Sequence, residues 1–239
     1  MAYYSIFPEK DTTIYSHPDR IHMNTGRDEI LELVDEKATT GNTYYTSRIL
    51  IKFNNEEIKD IIETKLASST FIDSNNTQVS LDLYTGENKS LTQGHIIEAY
   101  PLSHSFAEGS QRYSANPPTT TTKDSYLTQA GGGTWYTGNA FRAEHSFYAE
   151  DDLDLKLDVT NIVQKFSASY YQSATYPTGI PNNGFIIKKP KVTEEDSFGS
   201  GELQYFSSNT HTIYPPKLTF KWDDSTYNPT VGSTTLTSG

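Results

Sequence analysis

Two carboxylates stand side by side at Asp223 and Asp224, closing the stretch HTIYPPKLTFKWDD, and a second acidic group runs from Glu150 to Asp154. Paired carboxylates are the equipment of glycoside hydrolysis, in which one protonates the leaving oxygen and the other acts as nucleophile or base. Adjacent residues of a strand or turn, however, send their side chains apart, so Asp223 and Asp224 would not flank one bond. They read as a solvated turn after a strand. Asp151, Asp152 and Asp154 are weak calcium candidates, because carboxylates with loop carbonyls suit that ion, but the DxDxDG loop spacing is missing. The preferred reading is a solvated strand face, with no metal and no cofactor.

The histidines, at 17, 22, 95, 104, 145 and 211, form neither HExxH nor HxH, and the chain has no cysteine to complete a zinc site. Gly131 to Gly133 is not followed by Lys-Ser or Lys-Thr and so is no phosphate loop. The SFGSG of Ser197 to Gly201 lacks the GxSxG nucleophile elbow and reads as a hairpin tip. No nucleophile stands at recognisable spacing from a base, so no catalytic residue is expected and the protein reads as a non-enzyme.

Aromatic residues offer a different chemistry. Tyr113, Tyr126, Trp135, Tyr136 and Phe141 fall in a stretch from 103 to 143 that has no clear periodicity and is rich in Pro, Thr and Gly. A connection of that length is functional or an assembly surface. The five rings could anchor a subunit interface, pack the loop onto its own domain, or stack on sugar rings. The interface reading comes first, because Trp and Tyr are enriched in interface cores and their burial offsets the ordering cost of such a loop. It implies that truncating Trp135 and Tyr136 together leaves a folded domain that no longer assembles.

The elements that would position these residues are mostly strands. Alternation predicts strands at Glu29 to Val34, Tyr44 to Asn54, Val79 to Tyr84, His95 to Leu102, Leu153 to Val159, within Asn182 to Lys189, and at Leu203 to Ser208. In Tyr44 to Asn54, Ile49, Ile51 and Phe53 point one way and Leu50 and Lys52 the other, a strand buried mainly on one face. KLTFKW, with Leu218, Phe220 and Trp222 on one side, is the last strand, and Pro215-Pro216 belongs before it. Ser5 to Tyr15 alternates only weakly. Two helical patterns interrupt the strands: residues 55 to 66, capped by Asn54 or Asn55 with Ile58, Ile61, Ile62 and Leu66 on one stripe, and a short turn at 160 to 166. VTEEDSFGSGE reads as an acidic turn.

This pattern predicts an all-β protein: one antiparallel jelly-roll-like β-sandwich over residues 1 to 224, with one or two short helices, a long irregular loop at 103–143 and a flexible or interface-ordered tail at 225–239. A net charge of −11 disfavours nucleic acid and anionic membrane partners. The start, MAYYSIFPEKD, has no basic segment leading into an apolar run, so synthesis and folding in a cytoplasm without a signal peptide is expected.

The ordered set DVTNIVQKF, NNGFIIKK, an acidic GSGE hairpin and LQYFSSNTHTIYPPKLTFKWDD resembles the C-terminal half of DNRLRE-type domains, which are carbohydrate-binding-module-like jelly rolls. The version it is similar to, including SFAEGSQRYSANPPTTTTKDSYL and GGGTWYTG, is that of structural proteins in tailed-phage virions. The resemblance covers about Ser103 to Asp224. It implies a virion location, with other virion proteins and copies of itself as partners. The alternative that it implies is a module recognising host surface glycans.

Overall fold

The computed structural model describes residues 1–20, 25–38, 44–66, 72, 76–89, 94–109, 112, 134–148, 152–170, 179–195 and 201–224. Leucine, isoleucine and phenylalanine at alternate positions generate strands that turn one face inward, and here they build two antiparallel sheets closed over a common core. The smaller sheet contains β1 (Ala2–Ile6), β12 (Lys217–Trp222), β5 (Thr77–Leu83) and β9 (Leu155–Asp158), in that spatial order. The larger follows β6 (Thr85–Lys89), β11 (Gly201–Phe206), β3 (Ile30–Lys37), β4 (Tyr44–Phe53), β10 (Phe185–Lys188), β7 (His95–Pro101) and β8 (Ala143–Phe147), with β2 (Pro8–Tyr15) paired to β4. Strands distant in sequence become neighbours, as in β1 with β12 and β3 with β11, all antiparallel. This is the predicted all-β, jelly-roll-like sandwich.

The main core lies between the sheets. Val79, Leu81, Leu218 and Phe220 from the small sheet meet Leu31, Leu33, Ile49, Ile51, Phe53, Phe185, Ile187 and Leu203 from the large one. Burying each such side chain stabilises by about 2 kcal/mol before entropy is counted.

Helix α1 (Asn55–Asp60) is capped as the sequence predicts, with Asn54 Oδ1 accepting the amide hydrogens of Glu56 and Glu57 at 2.8 and 3.4 Å. It runs on as a π-helical turn, Ile61–Lys65, and its Ile58, Ile61 and Ile62 close one end of the core. The second helix, α2 (Thr160–Tyr170), is longer than the predicted turn. The added residues, 167–170, include Ser167 and Ala168, both buried. Among the described residues no helix is long and apolar enough to cross a membrane.

Several strands depart from the sequence reading. Ser5 to Tyr15, which alternates only weakly, falls in the end of β1 and in β2, and β6 and β8 also carried no clear periodic signal. In β2 the polar residues Asp11, Thr12 and Thr13 are buried. Their bonds explain this: Thr25 Oγ1 accepts the Thr13 amide hydrogen at 3.0 Å and donates to the Thr13 carbonyl at 2.8 Å, while Asp11 accepts from Ser208. Strand β4 is buried on both faces, not mainly one. Leu50 points away from the main core into a second cluster with Ile14, Tyr15, Leu102, Phe106 and Ile186. The segment read as an acidic turn opens with a short helix, α3 (Lys191–Glu194), whose Glu194 is buried.

Candidate functional site

The second cluster lies on the outer face of the large sheet, and the residues beside it form a connected set of ion pairs. Strand register dictates their arrangement. Ile187 pairs with Ile49 and Lys188 with Glu98, which in turn pairs with Glu144. Alternation therefore lays one row, Arg48, Lys188, Glu98 and Glu144, across β4, β10, β7 and β8 on the face opposite Ile49 and Ile187. The neighbouring row on that face is Leu50, Ile186 and Tyr100.

Unpaired charges cannot be buried cheaply, and these are cross-linked. Arg48 donates to both oxygens of Glu194, from Nε at 2.9 Å and from Nη2 at 2.7 Å, the bidentate geometry that guanidinium and carboxylate favour. Lys188 Nζ lies 3.4 Å from Glu194 and 3.9 Å from Glu98. Burial lowers the Lys188 pKa, and the Glu194 carboxylate opposes that shift. Arg142 bridges Glu98, at 2.8 Å, and Glu144. Without it two like charges would face each other across β7 and β8. Tyr100 donates from its hydroxyl to Glu98 at 3.3 Å, and burial followed by the Glu98 charge raises the Tyr100 pKa.

Trp135 sits where the apolar and charged rows meet. The stretch from 103 onward leaves β7 and returns along it: Ser103 donates its amide hydrogen to the Thr134 carbonyl at 2.9 Å, and Tyr136 to the Pro101 carbonyl at 3.0 Å. Trp135 thus bridges Leu102. Its half-buried ring packs on the second cluster, 6.5 Å from the Tyr100 ring and 5.3 Å from the Arg48 guanidinium. His104 Nδ1, 2.8 Å from Thr134 Oγ1 and 3.0 Å from Ser103 Oγ, ties the same two ends.

Tyr136 and Phe141 are half-buried against the main core, their rings 5.5 Å apart. Trp135, Tyr136 and Phe141 therefore all touch the protein's own sandwich, and truncating them removes internal packing whatever else they contact. Tyr113 and Tyr126 lie outside the described residues, as do Asp151 and the tail 225–239.

The remaining acidic candidates have local partners. Asp154 Oδ1 accepts the Thr85 amide hydrogen at 2.7 Å and fastens the start of β6. Asp152 Oδ1 accepts the Asp154 amide hydrogen at 3.1 Å. Among the described residues no group of three or more His, Asp or Glu side chains could hold a metal ion. Asp224 is exposed and lies 2.8 Å from the Met1 ammonium, with Asp223 beside it past the end of β12.

Sequence reasoning singled out Trp135 as an interface or stacking candidate but not the charged ladder beside it. Arg48 and Lys188 were visible as the outward residues of otherwise apolar strands. Nothing local joined them to Glu194, which is 146 residues from Arg48. Chemically, the arrangement is an aromatic ring over an arginine of a cross-linked row of charges, which ends at the partly exposed Arg142 and Glu144. No protein-family model matches the chain, and no curated protein sequence matches it.

Proposed function

We propose that the chain is a non-enzymatic structural protein of a tailed-phage virion, held in the particle by contacts with other virion proteins and copies of itself. The observation that carries this reading is the anchoring of the 103–143 excursion. Ser103 is hydrogen-bonded to Thr134 and Tyr136 to Pro101 of β7, and Trp135 packs on the large sheet between an apolar cluster and a charged ladder. A sandwich that presents Trp135 and Tyr136 beside the point where residues 103 and 134 meet suits subunit contact, where large aromatic side chains carry much of the binding energy. The charges support a non-catalytic role, because Arg48, Lys188, Arg142, Glu98 and Glu194 bind one another. The ordered C-terminal motifs, which resemble the domains of virion structural proteins, point the same way.

Mass spectrometry of purified particles of the encoding phage tests this: the protein should be present at stoichiometric copy number, and its absence from intact particles would refute the reading. A second reading is recognition of host surface glycans. It is favoured by the half-exposed Trp135 ring, an aromatic plane bordered by the Arg48 guanidinium and the Tyr100 ring. Glycan-array binding that is lost in Trp135→Ala would establish it.

A further inference from the structure

Strand β1 ends the small sheet, pairing with β12 on one side and with no strand on the other among the described residues. Exposed edges invite another strand, and proteins commonly protect them with Lys, Pro or inward-pointing charge. The opposite edge of the same sheet, β9, carries Lys156 and Asp158 at exposed positions. The sequence of β1, AYYSI, has no charged residue and no proline.

A cleft of about 620 Å³ runs beside this strand, between it and α1. Tyr4, Ser5 and Ile6 of β1 line it, followed by Phe7 and by Pro8 and Glu9 at the start of β2. Side chains of a strand alternate between faces, so three successive lining residues of β1 place the cleft along the backbone edge of its C-terminal half and not against one face. Tyr4 and Phe7 stand 44% and 54% exposed at its wall. The opposite wall supplies Glu56, Glu57 and Asp60, all exposed, and the floor adds Glu9, which is paired with Lys52 at 3.2 Å. Among the described residues no Lys or Arg lines the cleft. The Tyr4 ring already carries an ammonium, Lys65 Nζ at 5.7 Å from its centroid.

We infer that the β1 edge is a docking site for an extended segment of a partner protein that carries lysine or arginine at alternate positions. The segment adds to the small sheet as a fifth strand: its backbone pairs with the free edge of β1, its cationic side chains reach Glu56, Glu57 and Asp60, and its apolar side chains lie against Tyr4 and Phe7. Main-chain pairing supplies affinity in such complexes and the side-chain contacts supply selectivity. The commitment to a basic partner comes from charge complementarity, since the walls are acidic and the chain itself carries −11.

The test is fluorescence anisotropy of the full chain with a labelled peptide of alternating valine and lysine. Saturable binding is expected, and it should weaken about tenfold for a peptide in which glutamate replaces lysine and for the variant Glu56→Gln/Glu57→Gln/Asp60→Asn. The lysine peptide with alternate backbone nitrogens methylated keeps its charge but cannot form a ladder, so it too should lose binding. Equal binding of the methylated peptide would reduce the site to charge attraction and overturn strand addition. Undiminished binding to the triple variant, or no binding at all, would overturn the site. Sedimentation of the chain alone checks the other occupant: a concentration-dependent dimer abolished by the triple variant would assign the edge to a second copy, against the inference.

Discussion

The Arg48 guanidinium lies 5.3 Å from the centre of the Trp135 ring while its nitrogens grip Glu194 in two hydrogen bonds, so one arginine joins β4, α3 and the base of the 103–143 excursion. The ring covers both this cation and the second apolar cluster. Trp135→Ala should therefore destabilise the protein by about 2 kcal/mol, combining lost packing with lost cation–π attraction. Urea unfolding checks this. It differs from the expectation drawn from the sequence, that truncation would leave folding intact, and an unchanged midpoint would mean that the ring contributes nothing to the sandwich.

Glu194 counterbalances both Arg48 and Lys188 in a buried setting. Glu194→Gln removes that charge and leaves two cations short of a partner, which should cost about 3 kcal/mol. Arg48→Met combined with Glu194→Gln should cost less than the two single changes added together, because the double variant no longer strands a buried arginine. A double-mutant cycle by chemical denaturation measures this coupling, and simple additivity would show that the pair acts independently.

Asp11 sets a pH dependence. Burial pushes its carboxyl from an ordinary value of 3.8 up to about 7, against the opposing effect of hydrogen bonds donated by the Ser208 amide and hydroxyl. Between those values the folded protein holds a proton that the unfolded chain has released, so this group's contribution to stability falls as pH rises through that window. Asp11→Asn keeps an acceptor for the Ser208 amide and removes the titration. The stability of the variant relative to the wild type should therefore be greater at about pH 7.5 than at about pH 4.5. An equal difference at both pH values would exclude Asp11 as the titrating group.

Gly184 precedes β10 with φ of +103°, in the left-handed region, and a Cβ there would meet the Ile51 carbonyl oxygen at 2.5 Å. Both the conformation and the contact with β4 oppose a side chain. Gly184→Ala should cost about 2 kcal/mol, seen as a lowered thermal midpoint.

Asp154 makes a prediction about metal. With Oδ1 occupied by the Thr85 amide, it serves as a fastening for β6, and adding calcium or a chelator should leave the thermal midpoint unchanged. Asp154→Ala should lower that midpoint by a shift corresponding to about 1 kcal/mol for the lost hydrogen bond.

Elements whose signals are local were legible from residue order alone. KLTFKW is β12 over its full length, because Leu218, Phe220 and Trp222 alternate with polar residues, and Asn54 caps α1 because its side chain needs only the next few amides. Periodicity reports which face a strand turns toward its sheet's main core, which is why an all-β sandwich could be read before any coordinates. Only the tertiary structure decided what covers the other face. Leu50 and Ile186 are buried because Phe106 and Trp135 fold over them, and no alternation within β4 or β10 encodes that cover. Buried polar groups follow the same logic. Asp11 is satisfied by Ser208, 197 residues away, and Glu194 by Arg48. Polar residues look solvated in sequence because the cost of burying them is cancelled by partners that only folding brings within hydrogen-bonding distance.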